Sequence, residues 1–149
     1  MTYTLARPID EEDWRAFHDI RRKVLFEGRH RDVIYNDNHP EDRATGNHPL
    51  LLKFEGVPIG TVRLDDFGDG TGCVRLLAIT QAEQGRGHGK ALGSLVEDFA
   101  RSLGIRMLYL NSAPEAVGFY EKNGWRRHVW DASELIGIAE ACVQMRKPI

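Results

Sequence analysis

Leu77-Ala78-Ile79-Thr80-Gln81-Ala82-Glu83-Gln84-Gly85-Arg86-Gly87-His88-Gly89-Lys90 is the stretch that decides how this chain folds. An apolar run passes into three glycines at alternate positions, and a helical period begins directly after them. Leu92, Leu95, Val96, Phe99 and Leu103 trace one helical face, and Gly104 stands where a C-terminal stop belongs. Glycine lets a backbone come close to a ligand. The free N–H groups of the first helical turn, with the helix dipole, then make a seat for a phosphate or pyrophosphate. Arg86 and Lys90 add positive charge at the same end.

Three phosphate-binding patterns compete for this turn. The nucleotide P-loop needs Gly, four residues, then Gly-Lys-Ser/Thr. Counting back from Gly89-Lys90 puts Gln84 at its first glycine, and Ala91 follows the lysine, so it fails twice. The dinucleotide fingerprint needs Gly-x-Gly-x-x-Gly, and its third glycine falls on Lys90 or Leu92. The strand after the helix ends in Asn111 in place of an acidic ribose ligand. The pattern that fits is Gln-x-x-Gly-x-Gly, met by Gln84, Gly87 and Gly89.

Outward from the glycines, the chain reads as alternating elements. Residues 2–6 form a short strand, and Asp10 is the N-cap of a helix whose apolar face is Trp14, Phe17, Ile20, Val24 and Leu25, running to about Glu27. Residues 28–49 are loop with room for one short helical turn. Strands at 50–54 and 59–64 flank a hairpin turn, Glu55-Gly56-Val57-Pro58, and a second turn from Asp66 to Gly72 leads into a strand at 73–80. Residues 105–111 are apolar on both faces, as in a strand covered on both sides. Ser112-Ala113-Pro114-Glu115 has capping-box spacing and opens a helix that Asn123-Gly124 closes. Strands at 125–130 and 141–146 follow, around the loop 131–140. The order β-α-(α)-β-β-β-α-β-α-β-β is that of a mixed α/β fold, a mixed sheet with helices on its faces. With no repeat or linker, residues 1–149 read as one domain.

Composition narrows the function classes. Hydrophobic residues make up 42% and charged residues 28%, the balance of a soluble globular protein. A net charge of −2 leaves no basic field for nucleic acid or an anionic membrane. No run reaches the roughly 18 apolar residues of a membrane span, and the first residues lack a secretory stretch. Cys73 and Cys142 make no disulfide framework and no metal spacing, which suits a reducing cytoplasm. His30, His39 and His48 match no metal-ligand motif.

Two motifs together give the chain a family resemblance. Leu77-Ala78-Ile79 followed by Gln84-Gly85-Arg86-Gly87-His88-Gly89 resembles the pyrophosphate motif of the GNAT superfamily, the acyl-CoA-dependent N-acetyltransferases. Ala116-Val117-Gly118-Phe119-Tyr120-Glu121-Lys122-Asn123-Gly124-Trp125 is similar to that family's Phe-Tyr-Glu-Lys-x-Gly-Phe helix end. The two span residues 77–125, and the element order extends the match to the whole length. The resemblance implies a central, mostly antiparallel sheet flanked by helices. It also implies transfer of an acetyl group from acetyl-CoA, with no metal, to a primary amine of a small molecule or peptide in a ternary complex. A non-catalytic acyl-CoA-binding module on the same fold is the rival reading. A homodimer is left open.

The resemblance also implies roles by position. Backbone groups of Leu77, Ala78 and Ile79 would pair with the pantetheine arm. Gln84 belongs to the motif, and the amides of Gly85, Arg86, Gly87, His88, Gly89 and Lys90 would hold the pyrophosphate. The side chain of His88 fills the motif's variable slot and reads as a bystander. Tyr120 matches the tyrosine that protonates the departing thiolate, with a core aromatic as the competing reading. Asn111 is open to two roles, bonding the cofactor arm or capping the next turn. Ala113 stands where many members carry Asn, and Cys73 where histone-type members carry Glu. Candidates for the base are Asp65, Asp66, Glu27, His39, His48 or a water chain. The acceptor pocket is expected from residues 28–49, the central strands and the loop 131–140. The polar, acidic run Asn36-Asp37-Asn38-His39-Pro40-Glu41-Asp42 suits an amine there, or is an exposed loop.

Overall fold

The computed structural model describes residues 2–27, 30 and 32–149. Strand β1 (Tyr3–Ala6) leads to helix α1 (Glu11–Arg21), whose N-cap Asp10 accepts the Asp13 amide at 2.8 Å. The helix continues in the wider π form over Arg22–Glu27. The expected loop start at Gly28 lies outside the described residues. A single 3-10 turn, Pro40–Arg43, is the short helical turn expected in the following loop.

Strands β2 (Asn47–Phe54), β3 (Val57–Asp66) and β4 (Thr71–Ile79) form an antiparallel meander. They are longer than their apolar cores suggest because Asn47, His48 and Asp65 pair between β2 and β3, and Asp66 pairs with Gly72 of β4. The β2–β3 turn has both Glu55 (φ 51°) and Gly56 (φ 80°) in the left-handed region. That is the pattern whose twist matches a two-residue hairpin. Helix α2 (His88–Ser102) stops at Gly104, φ 82°. Strand β5 (Met107–Ser112), helix α3 (Val117–Lys122), β6 (Arg126–Arg127) and β7 (Val143–Pro148) complete the chain. The sheet order is β1-β2-β3-β4-β5-β7-β6, and β4–β5 is its one parallel pair among the described residues.

Two expectations need correction. Ser112 is the last residue of β5, and its hydroxyl donates to the Ala113 carbonyl at 2.8 Å, so no capping box forms. A 3-10 turn at Pro114–Ala116 precedes α3 instead. The strand expected at 125–130 shrinks to Arg126–Arg127. Beyond it the Gln144 side chain captures the amides of Trp130 and Asp131, each at 3.0 Å, and diverts the chain from the sheet.

Alternation in the strands divides the side chains between two layers. Leu50, Leu52, Val62, Leu64, Val74, Leu108, Leu110 and Met145 pack with Leu92 and Val96 of α2. Leu51 and Ala78 face the other way, onto Phe17, Ile20 and Leu25 of the first helical segment. Phe17 is fully buried, so truncation to Ala costs about 3–5 kcal/mol. Among the described residues no helix is long and apolar enough to cross a membrane.

Candidate active site

The sheet splits beside the glycine turn. The parallel pairing of β4 with β5 ends at Val74↔Leu110, yet β4 runs on to Ile79 and β5 to Ser112. On its other edge β4 carries a bulge. Thr61 pairs with Ala78 and Arg63 with Arg75, so Leu76 and Leu77 stand together opposite Val62. Leu76 takes a positive φ of 53°. An extra residue bends a strand and re-aims its side chains. Here Leu76 packs toward α1 and Leu77 toward α2.

A cleft of about 320 Å³ lies on the α2 side of this split. Leu77 and Leu110 line it from the strands, Gly89 and Lys90 from α2, Phe119 and Tyr120 from α3. The first backbone bond of α2 runs from the Ala91 N–H to the Gly87 carbonyl, 3.2 Å. The amides of His88, Gly89 and Lys90 therefore stand ahead of it, and Gly87 caps the helix with no side-chain bond. Gly85 (φ 77°) and Gly87 (φ 86°) adopt the left-handed form. A Cβ at either would meet nothing within 4 Å, so the space above this turn is clear. At Gly89 a Cβ would touch the Phe119 ring at 3.4 Å, which seats α3 against the first turn of α2.

The remaining expected residues fall in three groups. Gln84 donates its side-chain amide to the Ile79 carbonyl at 2.9 Å, tying the turn to the end of β4. Arg86 and Lys90 are exposed, and Arg86 pairs with Glu83 at 3.2 Å. His88 is no bystander. Its ring is buried against Phe54 and Tyr3, and Nδ1 shares a 2.6 Å hydrogen bond with the Tyr3 hydroxyl, so it anchors α2 to the sheet edge. Tyr120 lines the cleft while its ring meets Phe119 and Trp125 edge-on, at 5.3 and 5.9 Å.

Asn111 lies on the opposite, α1 side. Its amide donates to Glu134 Oε1 at 3.1 Å, and its carbonyl accepts from Gln144 at 3.0 Å. The next residue of β4 past the split, Arg75, grips Glu134 with two bonds of 2.7 and 2.9 Å. The Arg75 guanidinium holds the Glu134 carboxyl below its ordinary range. Arg75 also donates to Asp65, and Asp65 takes two bonds from Arg63.

Sequence reasoning missed Arg63, Arg75, Glu134 and Gln144. Arg63 and Asp65 alternate with Val62 and Leu64, a pattern that reads as a solvated strand face, whereas the loops and α1 bury it. Of the expected base candidates, Asp65 is buried in that same layer. Asp65 is 5% exposed and fully engaged by arginines. Asp66 accepts the Gly68 amide, and His39 accepts the Glu41 amide. Burial lowers the pKa of His48, which stands against Phe99. Glu27 ends the π segment. In the acidic run, residues 36–41 are exposed and Asp42 is buried. Asp42 is buried on Arg21 and Arg63, and Glu41 reaches Arg63. Burial pushes the Cys73 thiol up to about 12, which leaves it inert as a nucleophile. Among the described residues no group of three or more His, Cys, Asp or Glu could hold a metal ion.

Comparison with known proteins agrees with this architecture. The model of the acetyltransferase (GNAT) family matches residues 8–125. A provisionally named acetyltransferase of Bacillus subtilis (strain 168) is 30% identical over 118 residues, 78% of each chain. The fold is similar to that of a Pseudomonas aeruginosa acyl-CoA N-acyltransferase, with a TM-score of 0.75 at 18% identity over 98% of both chains. It is also similar to the PaiA N-acetyltransferase of Thermoplasma acidophilum in complex with coenzyme A, at 0.72 and 15% identity over 100% of both. A match across most of the length, on a sheet split beside a glycine-capped helix, places this chain in the GNAT family of acetyltransferases.

Proposed function

We propose that residues 1–149 work as one domain that moves an acetyl group from acetyl-CoA to a primary amine of a small molecule or peptide. The observation that carries this reading is convergence. Unpaired amides at the start of α2, the split between β4 and β5, and Tyr120 all meet at one cleft. The crystallised PaiA relative holds coenzyme A on the same fold, which supports the choice of donor.

The residues fit such a donor. Clear space above Gly85 and Gly87 admits a pyrophosphate to the backbone, and the amides of Gly85 to Lys90 with the helix dipole supply its positive field. Backbone groups of Leu77, Ala78 and Ile79 on the freed stretch of β4 bond the pantetheine arm as an added strand would. Gln84 acts indirectly, by fixing the turn. Asn111, with both ends of its amide engaged, shapes the acceptor side instead of holding the cofactor arm.

Acetyl-CoA supplies an activated thioester carbon. The chain holds the amine and that carbon together, which removes much of the entropic cost of their meeting. An N–C bond forms and the C–S bond breaks, and Tyr120 gives its hydroxyl proton to the leaving thiolate sulfur. The amine sheds its proton through solvent, a reading supported by the engagement of Asp65 with two arginines and of Asp66 and His39 with backbone amides.

The test is release of free CoA thiol from acetyl-CoA across polyamines, amino acids, aminoglycosides, arylamines and short peptides. Saturable turnover with one class establishes the activity. Tight acetyl-CoA binding without turnover on any class would move the chain to a non-catalytic binding module.

A further inference from the structure

One carboxylate in the middle of the sheet ties together two loops far apart in sequence. Asp65 Oδ1 accepts from Arg63 Nε at 2.7 Å, and Oδ2 accepts from Arg63 Nη2 at 3.1 Å and from Arg75 Nε at 2.6 Å. From Arg63 the chain of ion pairs leads to Asp42 and Glu41 in the turn at Pro40–Arg43, each at 3.2 Å. From Arg75 it leads to Glu134 in the turn at Ala132–Glu134. Glu134 then crosses to Asn111, so it bridges β4 and β5 just past the point where they part. Asp65, Asp42 and Arg63 are all at least 95% buried, where each charge depends on its partners.

We propose that Asp65 is a positioning residue for the amine acceptor. Through Arg63 and Arg75 it sets the loop around residues 36–46 and the loop 131–140 together, on the α1 side of the sheet split. The inference rests on the acetyl-transfer reading, in which the acceptor enters on that side and acetyl-CoA fills the α2 side. Asp65 then acts through other residues and touches neither substrate. Its loss leaves Arg63 and Arg75 facing each other with one carboxylate fewer, so the supports of both loops weaken at once, while Asp42 keeps its pair with Arg21 and Glu134 its pair with Arg75. The glycine turn, held by Gln84 and His88, has no part in this chain of ion pairs.

The experiment uses Asp65→Asn and Glu134→Gln in the full chain, with amide hydrogen exchange, acetyl-CoA titration calorimetry and steady-state kinetics on the amine class found active. Asp65→Asn should speed exchange at least tenfold in both 41–44 and 131–140, leaving 85–90 unchanged. It should raise the acceptor KM at least tenfold while the acetyl-CoA Kd stays within twofold. Glu134→Gln, at the outer end, should loosen 131–140 alone and also raise the acceptor KM, and it serves if Asp65→Asn does not fold. Unchanged exchange at either loop in Asp65→Asn would overturn the proposal. So would an acetyl-CoA Kd that shifts in step with the acceptor KM, or a Glu134→Gln variant with wild-type exchange and KM. If the wild type neither binds acetyl-CoA nor turns over any amine, the acetyl-transfer reading has failed, and the exchange arm still decides whether Asp65 couples the loops.

Discussion

The two sides of the sheet split are built by opposite means. On the α2 side, six consecutive residues from Gly85 to Lys90 offer backbone amides, shaped by left-handed glycines and a helix start. On the α1 side, Asp42, Arg63, Asp65, Arg75, Asn111, Glu134 and Gln144 come from six separate places in the chain, and side chains make nearly every bond. A backbone site tolerates almost any side chain except at its glycines. A side-chain network fails when one member is lost, because its neighbours stay buried and charged.

The largest expected effect concerns the proposed proton donor on the backbone-built side. Tyr120→Phe should lower kcat by about 10²–10⁴-fold and leave the acetyl-CoA Kd unchanged. Equal loss in both would mean that Tyr120 serves packing, and that this side leans on side chains after all.

Next in size is Arg63→Met, which removes the cation shared by Asp42 and Asp65. It should destabilise the fold by about 3–5 kcal/mol in urea unfolding. A loss under about 1 kcal/mol would show that the ion pairs only break even with an apolar replacement, as some buried pairs do.

The contrast explains what could be read from the sequence. The glycine motif, the element order and the helix start and stop were legible because each is local: Asp10 caps its helix and Gly104 ends α2. Register is not local. Arg63 lies opposite Arg75, and Asp65 opposite Cys73, only once β3 and β4 pair with a bulge at Leu76 and Leu77. Glu134 meets Arg75 across 59 residues. In the sequence it is one acid in a loop. His88 failed for a related reason. A helix start at Gly87 leaves it facing the sheet, and its partner Tyr3 lies 85 residues away.

A smaller effect separates the two sides by pH. Burial lowers the pKa of His18, which shares a 2.6 Å hydrogen bond with Tyr35 on the α1 side, and nearby Arg21 adds to the shift. Stability linked to His18 is fully present above its unfolded value of about 6.5. It is lost as pH falls from there toward the lowered folded value, because the unfolded chain takes up the proton first. Thermal stability should therefore fall as pH drops below about 6.5, and less so in His18→Asn. A wild type and variant with the same acid slope would remove His18 from this account.

The central claim is that backbone amides at the glycine turn hold the pyrophosphate, and a binding cycle tests it most directly. Acetyl-CoA and S-acetyl-pantetheine, which lacks the pyrophosphate, are titrated into the wild type and Gly87→Val. A side chain at φ 86° costs about 1–3 kcal/mol in backbone strain and projects into the space the pyrophosphate needs. The wild type should bind acetyl-CoA at least tenfold more tightly than S-acetyl-pantetheine, about 1.4 kcal/mol. In Gly87→Val that preference should vanish. A variant that keeps the full preference for acetyl-CoA would contradict the claim.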